Sequence, residues 1–208
     1  RMKKHFFILA LFACLCTAVF GAVPVGAAQS AEAEVSGVVA IYAAGTVSAA
    51  SGAASESLSP GCKAVYLCDW RSGTPVYKRN ESAHLPIASM CKIMTMLLCF
   101  EAQDAGRISA DEEIAVSERA AGMGGSQVFL EAGATYSVHD LLESICIASA
   151  NDSCVAMAER IAGSEALFVK KMNERAKSLQ MNDTEFVNCT GLPESGQYSC
   201  AKDVAAML

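Results

Sequence analysis

Apolar and polar positions along the chain predict a short β-hairpin followed by a block of helices. Residues 64–69 and 76–78 are predicted strands, and the turn-forming residues 71–75 between them complete the hairpin. A first helix is predicted from near Ser89 to near Gly106, where the apolar pattern ends. Further helices are predicted over about 137–148, 152–162, 164–179 and 199–208.

Local signals mark where several of these helices begin and end. Ser137 and Asp140 match a capping box, Gly163 stops the helix that starts near residue 152, and Ser164 is the expected cap of the next helix. Ser199 is the expected cap of the last helix. An isolated hairpin is marginal in water, so we expect further strands after residue 208 to complete a sheet.

The N-terminal part of the chain has the pattern of an export signal. Lys3 and Lys4 precede an apolar run over 6–20, which is short for a membrane span, and small residues follow at 25–27. These features predict a signal peptide over residues 1–27, cleaved after Ala27 or the next alanine, with an uncleaved anchor as the alternative. Residues 28–60 are rich in Ala, Ser and Gly, which predicts a linker, mostly disordered.

The net charge of the chain limits the classes of binding partner to be expected. The whole chain carries −6, and the predicted leader contributes three positive charges and no acid, which leaves −9 for the remainder. A balance this acidic argues against nucleic-acid binding and against simple electrostatic adhesion to anionic lipid.

The chain has ten cysteines, of which eight follow the predicted leader. An even count in an exported chain suggests disulfides, but the pairing cannot be derived from spacing. Cys91, Cys99 and Cys146 lie in apolar helical patterns, where cysteine acts as a small buried hydrophobe. None of the cysteine spacings is typical of a metal site.

Lys92 stands in an almost wholly apolar helical segment, three positions after Ser89. Residues three apart on a helix lie on one face, so the Ser89 hydroxyl can reach the Lys92 amine. Burial disfavours the ammonium form, and a neutral lysine can take the proton that makes serine a nucleophile. The nearby helix N-terminus adds positive potential and free N–H groups for a developing oxyanion.

A Ser-x-x-Lys pair is weak evidence alone, because Ser199 and Lys202 repeat it and are expected to be only a helix cap and an exposed lysine. A second candidate element is the break between two predicted helices that contains Ser149 and Asn151. The Ser149 hydroxyl can relay a proton to a leaving nitrogen, and the Asn151 amide can contact both Lys92 and a substrate carbonyl. The alternative for this break is ordinary helix capping, with Asn151 or Asp152 as the cap residue.

Together these motifs resemble the low-molecular-mass penicillin-binding proteins, the serine-type D-alanyl-D-alanine carboxypeptidases of the peptidase S11 family. The resemblance runs from about residue 62 to residue 208. It rests on segments in this order: 85–95 around Ser89 and Lys92, Gly-Gly-Ser at 124–126, Ile-Ala-Ser-Ala-Asn-Asp at 147–152, Met-Asn at 172–173, Thr-Glu-Phe-Val-Asn at 184–188, and Gly-Leu at 191–192.

The resemblance implies an α+β fold of the β-lactamase/transpeptidase type, with an antiparallel sheet and a helical cluster, of which residues 61–208 form the N-terminal portion. It implies Ser89 as the acyl-ester nucleophile, Lys92 as its proton acceptor, Ser149 as proton relay and Asn151 as a substrate contact. The implied substrate is the D-Ala–D-Ala end of a peptidoglycan stem peptide, and β-lactams would acylate the same serine. No cofactor is implied, and the expected location is outside the cytoplasmic membrane, at the cell wall.

Some family features are absent. The Lys-Thr-Gly strand and the membrane-associating C-terminal segment are expected beyond residue 208, so membrane association is expected only through that segment. Relatives often carry a histidine where Gln197 or Tyr198 stands. Two alternatives stay open: a β-lactamase, although no Glu-x-x-x-Asn spacing follows Asn151, and a non-catalytic penicillin-sensing or peptidoglycan-binding module.

Overall fold

A computed structural model describes residues 38–44 and 61–208. The sheet in this part has three antiparallel strands in the order β1-β2-β3, with β1 at Val38–Ala44, β2 at Cys62–Asp69 and β3 at Pro75–Arg79. The predicted hairpin is confirmed as β2 and β3. Its turn is held by Asp69, whose carboxylate accepts hydrogen bonds from the backbone N–H groups of Arg71 and Ser72.

Strand β1 lies within the predicted linker over residues 28–60, so seven residues of this stretch are in a strand. This strand pairs antiparallel with β2, so that Ile41 lies opposite Tyr66. A short apolar patch in an Ala- and Gly-rich stretch has little strand signal of its own, and pairing with an existing edge supplies the backbone hydrogen bonds. The predicted signal peptide at residues 1–27 and the rest of the predicted linker lie outside the described residues.

The helical part follows the predicted order. The elements are α1 at Cys91–Asp104, β4 at Glu113–Ala115, α2 at Glu118–Ala121, β5 at Thr135–Ser137, α3 at Val138–Ala148, α4 at Asn151–Ala162, α5 at Glu165–Ser178 and α6 at Ala201–Met207. A 3-10 turn at Ala88–Met90 leads into the first helix, α1. Two short strands, β4 and β5, pair with each other and were not predicted.

Side-chain caps explain most of the helix starts. The Ser137 and Ser164 hydroxyls accept hydrogen bonds from the backbone N–H groups three residues later, which confirms both predicted caps. The predicted cap of α6 is wrong, because Cys200 is the capping residue and Ser199 is buried against Thr184. Lys202 is exposed, as expected.

The core surrounds α4, which packs against α1, α2, α3 and α5. Residues 151–158 of α4 are all buried, and large apolar side chains such as Met94, Met157 and Phe168 fill the space around them. Cys91, Cys99 and Cys146 are buried in this core, as predicted. All eight cysteines of the described chain are free thiols.

No helix within residues 61–208 is both long enough and apolar enough to span a bilayer.

Candidate active site

Ser89 lies in the 3-10 turn that immediately precedes α1, and the chain reaches it through a strained residue. Ala88 has a φ of 45°, a left-handed conformation that costs a non-glycine residue on the order of 1–2 kcal/mol. Gly191 packs directly on this turn, since a Cβ there would lie 1.9 Å from the Ala88 carbonyl oxygen. The position of the Ser89 hydroxyl is therefore fixed by close backbone packing as well as by the helix start.

Ser89 and Lys92 are brought together as the spacing predicted. The Lys92 Nζ lies 3.3 Å from the Ser89 Oγ, and the Lys92 side chain is only 3% exposed. Burial lowers the pKa of Lys92, because the low-dielectric surroundings disfavour the ammonium. Thus a lysine with a raised population of neutral amine stands next to a serine hydroxyl.

Ser149 completes the cluster from the break between α3 and α4. Its φ of 55° ends α3 in a left-handed conformation, which turns the side chain towards the 3-10 turn. The Ser149 hydroxyl donates a hydrogen bond to the Ser89 Oγ at 3.0 Å. Ser89 Oγ is thus in contact with an amine on one side and a hydroxyl on the other.

Asn151 is buried beside this cluster, but its contacts differ from the prediction. Its side-chain N–H donates to the Gly124 carbonyl at 2.7 Å, and its backbone N–H donates to the Ser126 carbonyl at 2.8 Å. The expected contact with Lys92 is not among the hydrogen bonds of the described residues. Asn151 is not a side-chain cap either, since Ala150 occupies the cap position of α4.

A neighbouring loop contributes a backbone acceptor that sequence reasoning missed. The Thr190 carbonyl oxygen accepts a hydrogen bond from Lys92 Nζ at 2.7 Å, and the preceding Cys189 carbonyl accepts one from the Thr95 hydroxyl at 2.7 Å. Both donors lie on α1. We call residues 188–191 the strap, because this irregular segment of bends lies along α1. No side-chain pattern marks a carbonyl acceptor, which is why the sequence did not reveal it.

Asn188 organises the strap from within. Its side-chain oxygen accepts hydrogen bonds from the backbone N–H groups of Thr190 and Gly191, at 3.2 and 2.8 Å. Its own carbonyl accepts from the Cys91 thiol at 3.3 Å. The carbonyls of residues 188, 189 and 190 therefore all accept from side chains of α1.

Gln197, at one of the positions where the family resemblance led us to expect a histidine, stands near the strap. Its side-chain oxygen accepts hydrogen bonds from the backbone N–H groups of Val187 and Asn188, both at 3.0 Å. Tyr198 instead stacks on the His84 ring with centroids 4.2 Å apart. The glutamine thus holds the start of the strap, and neither side chain forms a hydrogen bond with Ser89 or Lys92 among the described residues.

Asp152, which the sequence suggested only as a possible cap, anchors the loop next to Asn151. Its buried carboxylate accepts hydrogen bonds from the backbone N–H groups of Val128 and Leu130, both at 3.1 Å to Oδ2. Phe129 between them has a φ of 60° and a side chain that is 75% exposed. The carboxylate therefore fixes this loop and points Phe129 outwards.

Asp183, Cys200 and Asp203 place two carboxylates and a thiol within 4.8 Å of one another. Their polar atoms have local partners: the Cys200 sulfur accepts from the Asp203 backbone N–H, and the Asp203 carboxylate accepts from the Asp183 backbone N–H. Helix capping accounts for this cluster, and burial raises the pKa of Cys200 to about 11, which keeps the thiol protonated.

Comparison with known proteins decides the family. The profile of peptidase S11, described as D-alanyl-D-alanine carboxypeptidase, matches residues 51–208. The chain belongs to the peptidase S11 family. Among S11 relatives, the D-alanyl-D-alanine carboxypeptidase DacF of Bacillus subtilis is 49% identical over 156 residues, which cover 75% of this chain and 40% of DacF. The chain thus spans well under half the length of this S11 relative.

Solved structures of similar carboxypeptidases and penicillin-binding proteins confirm the predicted α+β fold of the β-lactamase/transpeptidase type. The carboxypeptidase DacD of Francisella tularensis is 39% identical with a TM-score of 0.68, covering 69% of this chain and 35% of that one. Penicillin-binding protein D2 of Listeria monocytogenes, solved with ampicillin bound, is 32% identical with a TM-score of 0.61, covering 69% of this chain and 58% of that one.

Proposed function

We propose that the protein is a serine-type D-alanyl-D-alanine carboxypeptidase that removes the terminal D-alanine from peptidoglycan stem pentapeptides. Lys92 takes the proton of the Ser89 hydroxyl, and the Ser89 oxygen attacks the carbonyl carbon between the two D-alanines. When the tetrahedral intermediate collapses, the C–N bond breaks and a proton passes through Ser149 to the leaving nitrogen. Water then hydrolyses the ester, which frees Ser89 and the shortened peptide.

One observation carries this proposal: the Ser89 Oγ lies within reach of both Lys92 Nζ and Ser149 Oγ, at 3.3 and 3.0 Å. A nucleophile needs a base to remove its proton, and the leaving group needs an acid to receive one. The low exposure of Lys92 supports its role as the base, because the buried amine loses its proton more readily than a solvated one.

Asn151 is proposed as a contact for the substrate backbone. Its side-chain N–H donates to Gly124, and its amide oxygen has no donor among the hydrogen bonds of the described residues, so this oxygen can accept from a peptide N–H of the substrate. A Cβ at Gly125 would lie 2.8 Å from the Asn151 Nδ2, so the glycine is what allows the loop to hold this amide.

The proposal extends to β-lactams and to location. The Listeria relative was solved with ampicillin bound, and the same serine of this chain would open the lactam ring to form a stable ester. Peptidoglycan lies outside the cytoplasmic membrane, so this function requires export, as the predicted signal peptide at residues 1–27 would provide. Trimming of stem peptides would contribute to cell-wall organisation and cell shape.

Fluorescent penicillin tests the nucleophile and its base. The full-length protein is expected to be labelled covalently, Ser89→Ala to lose all labelling, and Lys92→Ala to lose acylation while its circular dichroism and melting curve remain near native. Ser199→Ala, at the other Ser-x-x-Lys pair, is the matched control and should still be labelled. Labelling that persists in Ser89→Ala would place the nucleophile elsewhere.

A further inference from the structure

Glu165 is a buried carboxylate behind the strap that the proposed reaction does not use. It is 8% exposed and is the first residue of α5. Its Oε1 accepts a hydrogen bond from the Cys189 backbone N–H at 3.3 Å, and its Oε2 pairs with the Arg119 guanidinium. A carboxylate is costly to bury without partners, so these contacts account for its position.

The contacts of Glu165 fix one end of the strap from outside. Of the three peptide groups between residues 188 and 191, the other two have N–H groups held by the Asn188 side chain, within the strap itself. Only the N–H of Cys189 is held by another element, α5, through Glu165. The Thr95 hydroxyl holds the Cys189 carbonyl from α1. Cys189 is therefore clamped between two helices.

The position of Cys189 matters because the next carbonyl contacts the proposed base. Thr190 O accepts from Lys92 Nζ at 2.7 Å, which leaves the lone pair of the neutral amine free to face Ser89. The distance from Lys92 Nζ to Ser89 Oγ is 3.3 Å, already just beyond the usual range of about 2.7–3.2 Å for such bonds. A small displacement of the Thr190 carbonyl would therefore move the amine out of reach of the serine.

We infer that Glu165 is a positioning residue, which holds the strap so that Thr190 keeps the Lys92 amine against Ser89. This inference rests on the proposed function for the role of Lys92. The useful property of Glu165 is its acceptor oxygen and not its charge, because a nearby negative charge favours the ammonium form and would make Lys92 a poorer base. Glutamine at this position should therefore serve nearly as well as glutamate.

The matched pair Glu165→Gln and Glu165→Met tests this, since both remove the charge and only glutamine keeps an acceptor oxygen. In the full-length protein, Glu165→Met should slow acylation by fluorescent penicillin about tenfold or more, and Glu165→Gln should stay within about threefold of native. Glu159 and Glu165 both line a surface cavity of about 510 Å³. The variant Glu159→Gln is therefore the control and should be acylated at the native rate. A native rate for Glu165→Met, or equal slowing by glutamine and methionine, would overturn the inference.

If Glu165→Met does not fold, Thr95→Val offers a second test, because it removes the other hydrogen bond that holds Cys189. A folded Thr95→Val is expected to slow acylation in the same way, and a native acylation rate in that variant would contradict the positioning role of the strap.

An NMR measurement separates this inference from the proposed function. The Cε signal of Lys92 in the ligand-free protein should shift in Glu165→Met and not in Glu165→Gln. If native protein is never acylated but the signal responds in this way, the proposed function fails and the positioning role stands. If native protein is acylated and the signal is unchanged in both variants, the positioning role alone fails.

Discussion

Lys92 is the residue whose environment is most directly tied to chemistry. It accepts a proton only as a neutral amine, so acylation must fall as the pH falls through its pKa. Because burial lowers that pKa, the acid limb of the acylation rate should lie below the ordinary lysine value of about 10.4. Stopped-flow acylation across a pH series measures this limb.

Ser149→Ala provides the control for that pH series. Removing the Ser149 hydroxyl should lower the acylation rate at every pH. The midpoint of the acid limb should not rise to the ordinary lysine pKa, because the burial of Lys92 is unchanged. A native profile with its acid limb at the value of a solvated lysine would show that Lys92 is not the base.

Single residues also show how far the site could be predicted. Ser89, Lys92 and Ser149 were predicted because their roles belong to side chains, and the structure brings all three together. The carbonyl of Thr190 was missed, since every residue has one and only the fold decides which carbonyl meets a buried amine. Asp152 was predicted only as a possible helix cap. Its role in holding the loop was missed because its partners are backbone N–H groups more than 20 residues away in the chain.

The backbone of the strap packs directly against the backbone of the 3-10 turn, where Gly191 meets Ala88. Alanine substitutions at two glycines, Gly191 and Gly196, test how much this close approach matters. Gly191 and Gly196 have φ values of 85° and 88°, so alanine brings similar backbone strain at both. Only at Gly191 would the new Cβ collide with the Ala88 carbonyl, whereas at Gly196 its nearest neighbour is 3.9 Å away.

Gly196→Ala is therefore expected to cost about 1 kcal/mol of unfolding free energy and to leave acylation near native. Gly191→Ala should cost several times more and abolish acylation, because the turn that carries Ser89 must move. Urea denaturation and penicillin labelling of both variants check this. Similar losses in the two variants would mean that backbone strain, and not the close approach, explains the glycine at 191.

Among the elements, helices were predicted better than strands for a physical reason. Helix starts depend on residues a few positions apart, as the Ser137 and Ser164 caps show. Strand β1 depends on pairing with residues of β2 that lie 18 to 31 positions later, and the three-residue strands β4 and β5 depend on each other across a long loop. Such non-local pairing leaves little trace in a short stretch of sequence.

Over the whole described chain, cysteines serve as packing residues. Six of the eight are buried, and burial raises the pKa of Cys146 to about 11 and of Cys154 to about 12, so these thiols stay protonated and unreactive. Among the eight described cysteines, a thiol reagent such as DTNB should therefore react quickly under native conditions with only the half-buried Cys62 and Cys68.

Denaturant should expose the remaining six thiols, and dithiothreitol should not change the melting temperature. Mass spectrometry of the labelled protein identifies which thiols reacted, and Cys62→Ser with Cys68→Ser is the control that should remove the fast phase. A melting temperature that falls on reduction would indicate disulfides and contradict the free thiols of the structure.

Fold class at the scale of the whole molecule followed from motif order more than from composition. The acidic balance argues against nucleic-acid partners but says nothing about architecture. The order of Ser89, Lys92, Ser149 and Asn151 along the chain indicates the family that residues 51–208 match. The extent of the sheet could not be predicted, because strand order depends on pairings that sequence spacing does not encode.

The left-handed Ala88 makes rigidity at the nucleophile separable from stability. Ala88→Gly would relieve about 1–2 kcal/mol of backbone strain. The greater conformational freedom of glycine in the unfolded chain would offset about 0.4–1 kcal/mol of that gain, so the melting temperature should change little. Any slowing of acylation in that variant would then measure how much the fixed orientation of the Ser89 hydroxyl contributes to the acylation rate.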